Sequence, residues 1–228
     1  MPVQSIPTKH IRALDTHRLI PTAYAEPLIF SELLDSDEEI GLLYELESIT
    51  NQRLRAEENL SMGIGSDELV FGINHFRVIN AAFTYASPLG GRFNSPQRGA
   101  WYCSDTFKTA ISEVLHHKEI EYQEIGDEGT RIVNYKDFLA DIAGELHILS
   151  RKSHQKFLVL ESYVESQKLA AELFTNGAVG IKYPSSRNTN GTNYVIFRPH
   201  SVSNVRADKN FTVTWKKGEP QKYTVTEI

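Results

Sequence analysis

The chain has 228 residues, 40% hydrophobic and 23% charged, enough to bury a full core and ordinary for a globular protein. Its 24 basic and 29 acidic residues leave a net charge of -5, which argues against direct nucleic-acid binding through a broad basic surface. The single cysteine excludes an intramolecular disulfide, and no apolar run nears the roughly 18 residues of a membrane helix.

Met1 to His10 lacks the apolar region of a signal peptide, so a cytoplasmic protein is expected, with delivery into target cells as the alternative. Residues 1–16 carry two prolines and little periodicity and read as an N-terminal arm. His17-Arg18-Leu19-Ile20-Pro21 reads as a short strand ended by proline. Residues 27–75 read as a helical N-terminal subdomain. Within it, Ser36 with Glu39 has the form of a capping box. Ile40, Leu43 and Leu46 give an apolar stripe at helical spacing. That stripe is expected to face the core or a partner, including a second copy of the chain. The type of Val70 to Tyr85 is not legible.

Gly90-Gly91-Arg92-Phe93-Asn94-Ser95 opens the segment that residues 76–210 are organised around. Paired glycines allow a tight turn and a close approach to a ligand. Arg92 offers a fixed fork of donors suited to a phosphate or carboxylate. Ala100 to Cys103 reads as a strand, with Ala100 and Tyr102 on one face and Trp101 and Cys103 on the other. Ser104-Asp105 is a helix N-cap signal, and Thr106 to His117 reads as the helix, with Glu113 beside its apolar face. Lys118 to Glu128 reads as a solvated loop. Arg131 to Asp141 and Glu145 to Leu149 read as two strands, and Glu161 to Thr175 as a helix stopped at Asn176-Gly177. Val179 to Tyr183 and Tyr194 to Arg198 read as strands around a turn at Asn188 to Gly191. Residues 211–228 read as a hairpin, Phe211-Trp215 against Tyr223-Glu227.

Several familiar chemistries fail on spacing. No Gly-Lys-Ser/Thr follows Gly90-Gly91, and the alternating glycines of a dinucleotide fingerprint are missing. His116 and His117 are adjacent, so a helix points them about 100° apart. They read as partners of a helix C-terminal dipole, and no metal is expected. Cys103 has no histidine placed to activate it and reads as a buried, inert thiol. Glu119-Ile120-Glu121 resembles the Glu-x-Glu pair of some ADP-ribosyltransferases, but its neighbours suit a solvated loop. Taken singly, Glu113 is a surface helix residue and Ser185 an ordinary turn residue after proline.

The ordered set is more specific than its members. Gly-Gly-Arg-Phe-Asn-Ser, Trp-Tyr-Cys-Ser, Ala-Ile-Ser-Glu-Val-Leu-His-His, Gly-Ile-Lys-Tyr-Pro-Ser-Ser-Arg and Val-Ile-Phe-Arg-Pro follow one another. In that order they resemble the RES-domain family, from about His17 to about Arg206. The family is named for an Arg, a Glu and a Ser, which fall here on Arg92, Glu113 and Ser185. The chain departs from the family in Phe93, where Trp is common, and in Ser186, where an apolar residue is frequent.

The resemblance implies an α+β fold like that of ADP-ribosyltransferases, a split mixed sheet around a NAD cleft. It implies an enzyme that degrades NAD+ by hydrolysis or phosphorolysis, with NAD as substrate and no metal. It implies a toxin commonly paired with an Xre-type antitoxin that occludes the cleft. The catalytic set would be Arg92, Glu113 and Ser185. Arg18 and Arg92 would bind the pyrophosphate, Tyr102 would wall the nicotinamide ring, Ser185 would hold a phosphate or the nucleophile, and Asn94 would order the loop. Two other classes stay open: transfer of ADP-ribose to a macromolecule, and a module that binds NAD without cleaving it.

Overall fold

A computed structural model of the chain describes residues 6–25, 63–124, 129–160, 162–215 and 222–226. The expected capping box and apolar stripe at Ser36 to Leu46 lie outside these residues. In chain order the elements are β1 (Thr8–Pro21), α1 (Thr22–Ala25), α2 (Phe76–Thr84), β2 (Trp101–Ser104) and α3 (Phe107–Glu124). They continue with β3 (Arg131–Ile148), α4 (Val164–Thr175), β4 (Gly180–Pro184), β5 (Thr192–Ile196), β6 (Val202–Trp215) and β7 (Lys222–Thr226). The fold is α+β on one mixed seven-stranded sheet, ordered β1-β2-β5-β4-β3-β6-β7. β3 and β4 are parallel, and the other pairs are antiparallel.

β1 also pairs with β3, so β1, β2, β5, β4 and β3 curl round on themselves. The seam is minimal: β1 meets β2 at one residue pair, His17 opposite Ser104. A cavity opens beside this seam, lined from the two strands by His17, Arg18, Tyr102 and Ser104.

Residues 8–16, expected as an arm, are instead the first part of β1. Thr8 to Ala13 pairs with Ile142 to His147, and after a bulge Thr16 to Pro21 pairs with Tyr135 to Ala140. Asp15 takes a positive φ of 53° at the bulge, and the Thr16 hydroxyl donates to the Ala140 carbonyl at 2.7 Å. Polar residues such as Thr8, His10 and Arg12 hid this strand because the face they share is open to water. The two strands expected at 131–149 are one, since β1 pairs without a break past Ala143-Gly144. α3 runs beyond its expected end at His117 to Glu124, so Glu119-Ile120-Glu121 lies on a helix, not in a loop. His116 and His117 are then mid-helix and meet no helix C-terminal dipole. The helix is capped by Thr106, whose hydroxyl accepts from the Thr109 amide at 3.2 Å. The segment from Val70 resolves into bends and a turn that lead into α2. Buried Asn80 on α2 bonds both backbone groups of Val70, at 3.0 and 2.9 Å.

Three apolar cores hold the helices to the sheet. Trp101, Phe138, Ile142 and Leu146 pack with Ile79 and Phe83 of α2. Ile181 and Val195 pack with Leu169 and Leu173 of α4. Tyr135, Phe211 and Trp215 pack with Ile111 of α3. The strands alternate between cores: Val195 enters one, and Tyr194 and Ile196 the other. Each fully buried large apolar side chain contributes about 1.5–3 kcal/mol, so α3 and α4 are rigid supports for the polar groups they carry.

Candidate functional site

The loop before β2 is held by bonds that leave Arg92 at the cavity. Gly90 has a φ of 73°, a left-handed conformation that favours glycine. A Cβ on Gly91 would lie 2.4 Å from Asn94 Oδ1 and 2.9 Å from the Tyr102 hydroxyl. That space is needed because the Tyr102 hydroxyl donates to Asn94 Oδ1 at 2.9 Å and accepts from the Phe93 amide at 2.8 Å. Asn94 Nδ2 donates to the carbonyls of Ser95 and Arg98, both at 2.9 Å. From α4, Gln167 donates to the carbonyls of Leu89 and Gly91 at 3.0 and 2.9 Å. Phe93 is buried edge-on against Tyr183, ring centroids 4.9 Å apart. Arg92 then donates to the Val159 carbonyl at 2.7 Å, and its guanidinium lies 4.7 Å from the Tyr163 ring centroid.

Glu113 reaches the same place from α3. Its Oε1 accepts from Ser185 Oγ at 2.6 Å and from Asn193 Nδ2 at 2.8 Å. Asn193 is oriented in turn by Ser104, whose hydroxyl donates to Asn193 Oδ1 at 2.7 Å. Ser185 Oγ also accepts the amides of Arg187 and Asn188, at 3.1 and 2.9 Å. These two amides leave the serine proton directed at the carboxylate. Both bonds that Glu113 makes to described residues fall on Oε1, and Oε2 has none among them.

Arg18 of β1 donates to the Tyr102 carbonyl at 3.0 Å and lies 4.7 Å from the Trp101 ring centroid. Its Nε is buried with no hydrogen-bond partner among the described residues. Desolvation lowers its pKa to about 10, so it stays charged at neutral pH. Burial raises Cys103 to about 11, with Thr16 and Arg18 opposing, so the thiol stays protonated. Burial likewise raises the phenols of Tyr102 and Tyr183, which remain neutral donors.

Arg18, Arg92, Tyr102 and Glu113 line one cavity of about 430 Å³, within the size range of small-molecule clefts. Ser185 and Asn94 do not line it. Ser185 is fully buried behind Glu113, and the Asn94 side chain is spent on its own loop. Ser185 bonds Glu113 rather than opening onto the cavity, and Asn94 orders the loop, as expected of it. Ser186, Asn193, His117, Tyr163 and His17 join the lining unanticipated. His117 was within reach of sequence reasoning, because it stands four residues after Glu113 on one helix face. Asn193 had no such signal, since its partner lies on another element 80 positions away. The site thus sets an oriented carboxylate beside two guanidinium groups and aromatic walls. It suits a ligand with phosphates, a planar ring and a centre that becomes positive. No cluster able to hold a metal ion occurs among the described residues.

No curated protein matches the chain. One solved structure similar to it is the M. tuberculosis MbcT–MbcA toxin–antitoxin complex, at 15% identity and a TM-score of 0.40, covering 57% of this chain and 73% of that one. The family model for the RES domain matches residues 69–216, well over half of the sequence and the whole stretch from the α2 entry to β6. The chain belongs to the RES-domain family.

Proposed function

We propose that the chain is an enzyme that cleaves NAD+ at the bond between nicotinamide and C1 of its ribose, and that it acts as a toxin by depleting NAD. The observation that carries this reading is the Glu113 carboxylate, anchored through Oε1 by Ser185 and Asn193 in a cavity shared with Arg18 and Arg92.

The chemistry follows from charge. As the C1–N bond breaks, its electron pair moves to the ring nitrogen, and nicotinamide leaves neutral without a general acid. The ribose becomes an oxocarbenium ion, which a fixed carboxylate stabilises without reorganising. Water or phosphate then bonds to C1. With water, the products are ADP-ribose, nicotinamide and a proton; with phosphate, a phosphorylated ADP-ribose and nicotinamide. Arg92 and Arg18 suit the pyrophosphate, and the Tyr102 ring offers a wall to the planar base. Enzymes lower such barriers by roughly 8 kcal/mol or more, so losing the one charge beside the cation should be severe. On the same family reading, the partner is an antitoxin of the Xre type that covers the mouth of the cavity.

The test is release of nicotinamide from NAD+, with and without phosphate, by the wild-type protein and by Glu113→Gln. Glutamine keeps a carbonyl oxygen for Ser185 and Asn193, so the fold should hold while turnover falls by about a thousandfold. Phosphate dependence names the nucleophile. No release, or equal release by both proteins, would remove the assignment. ADP-ribose attached to a macromolecule instead would favour a transferase.

A further inference from the structure

The pair His17–Asp137 stands at the seam between β1 and β2 and has no part in the chemistry above. His17 lines the cavity, with its side chain 19% exposed. Its Nδ1 lies 2.7 Å from Asp137 Oδ2 on β3. Asp137 is fully buried, and its Oδ1 has no hydrogen-bond partner among the described residues. The imidazole edge also meets the Phe107 ring of α3, centroids 6.2 Å apart. The ring is thus fixed on two sides, and Nε2 is the nitrogen without a bond to the described residues.

An unsupported carboxylate in the interior is costly unless a cation or proton accompanies it. An Asp137 Oδ2–H that donates to Nδ1 leaves the ring's own proton on Nε2. In that tautomer Nε2 is a donor. Arg18, the next residue of β1, also brings a charged group to the cavity, with its buried Nε still lacking an acceptor. Two donors with no acceptor among the described residues call for a ligand group rich in lone pairs, and a phosphate supplies several.

We propose that His17, held by Asp137, is a further ligand-binding residue that donates from Nε2 to a phosphate oxygen of the bound dinucleotide. The inference rests on the NAD-cleaving reading for the identity of the ligand. Burial raises the Asp137 carboxyl, while His17 and Lys209 oppose this and Asp208 adds to it.

The experiment is NAD+ affinity by calorimetry in the Glu113→Gln protein, so that the ligand survives. Adding His17→Asn, which keeps a polar group for Asp137 but no donor at the place of Nε2, should weaken binding roughly tenfold, as expected for one hydrogen bond to a charged acceptor, with thermal melting checking the fold. Adding His17→Gln instead, whose amide nitrogen reaches the place of Nε2, should recover most of that affinity. Unchanged affinity in the His17→Asn protein, or no recovery in a folded His17→Gln protein, would overturn the inference alone. Wild-type protein that neither binds nor cleaves NAD+ would overturn the function as well.

Discussion

Ser185→Ala separates positioning from contact in this site. Ser185 is fully buried and does not line the cavity, yet its hydroxyl makes three bonds. Losing the 2.6 Å bond to Glu113 removes one of two anchors on Oε1, while Asn193 keeps the other at 2.8 Å. A hydrogen bond to a charged acceptor contributes about 2 kcal/mol, equivalent to roughly thirtyfold in rate. The loss should fall on kcat, because KM reports the arginines and aromatic walls, which Ser185 does not touch. The same change removes the acceptor of the half-buried amides of Arg187 and Asn188, at about 1–2 kcal/mol each. The melting temperature should therefore drop by about 10 °C, and the assay must run well below it. Steady-state release of nicotinamide, with melting followed in parallel, reads both effects. The decisive control is the Glu113→Gln background, where Ser185→Ala should change residual turnover by less than about threefold, since the carboxylate it positions is gone. A full, additive thirtyfold loss there, or wild-type kcat in the single variant, would refute the positioning role.

Tyr102→Phe keeps the ring in the cavity but deletes the hydroxyl that joins the Phe93 amide to Asn94. KM should rise severalfold as the Arg92 loop loosens, kcat should change little, and stability should fall by about 1–2 kcal/mol in a denaturant titration. A second prediction concerns the entry to α2. Burial would raise the Glu68 carboxyl, but the paired hydrogen bonds of Arg98, at 2.7 and 2.8 Å, and the charge of Arg198 hold it below the usual range. The folded state then binds fewer protons than the unfolded chain. The stability is present above the ordinary carboxylate pKa and is lost as pH falls through the lowered value. Arg98→Ala should cost about 3 kcal/mol at neutral pH and should flatten the acid side of a stability–pH curve. An unaltered acid limb in that variant would show that Glu68 is not the group responsible.

The sequence by itself determined the local elements whose pattern repeats within a few residues. The strand at Trp101, the helix carrying Glu113, the turn at Asn188 to Gly191 and the hairpin pairing Phe211 with Val225 all follow from alternation, helical spacing or turn chemistry. The order of the Arg92, Glu113 and Ser185 motifs was legible too, because motifs are written along the chain. Only the tertiary structure decided what those residues do for one another. β1 is stabilised by β3 across more than a hundred positions, so its own polar residues showed no strand. Ser185 stands outside the cavity lining because the β4–β5 turn buries it behind Glu113. Asn193 and Asp137 entered because strands distant in sequence place them against a helix carboxylate and a strand histidine. Hydrogen bonds and desolvation act through space over a few ångströms, and periodicity carries no record of which distant residue fills that space.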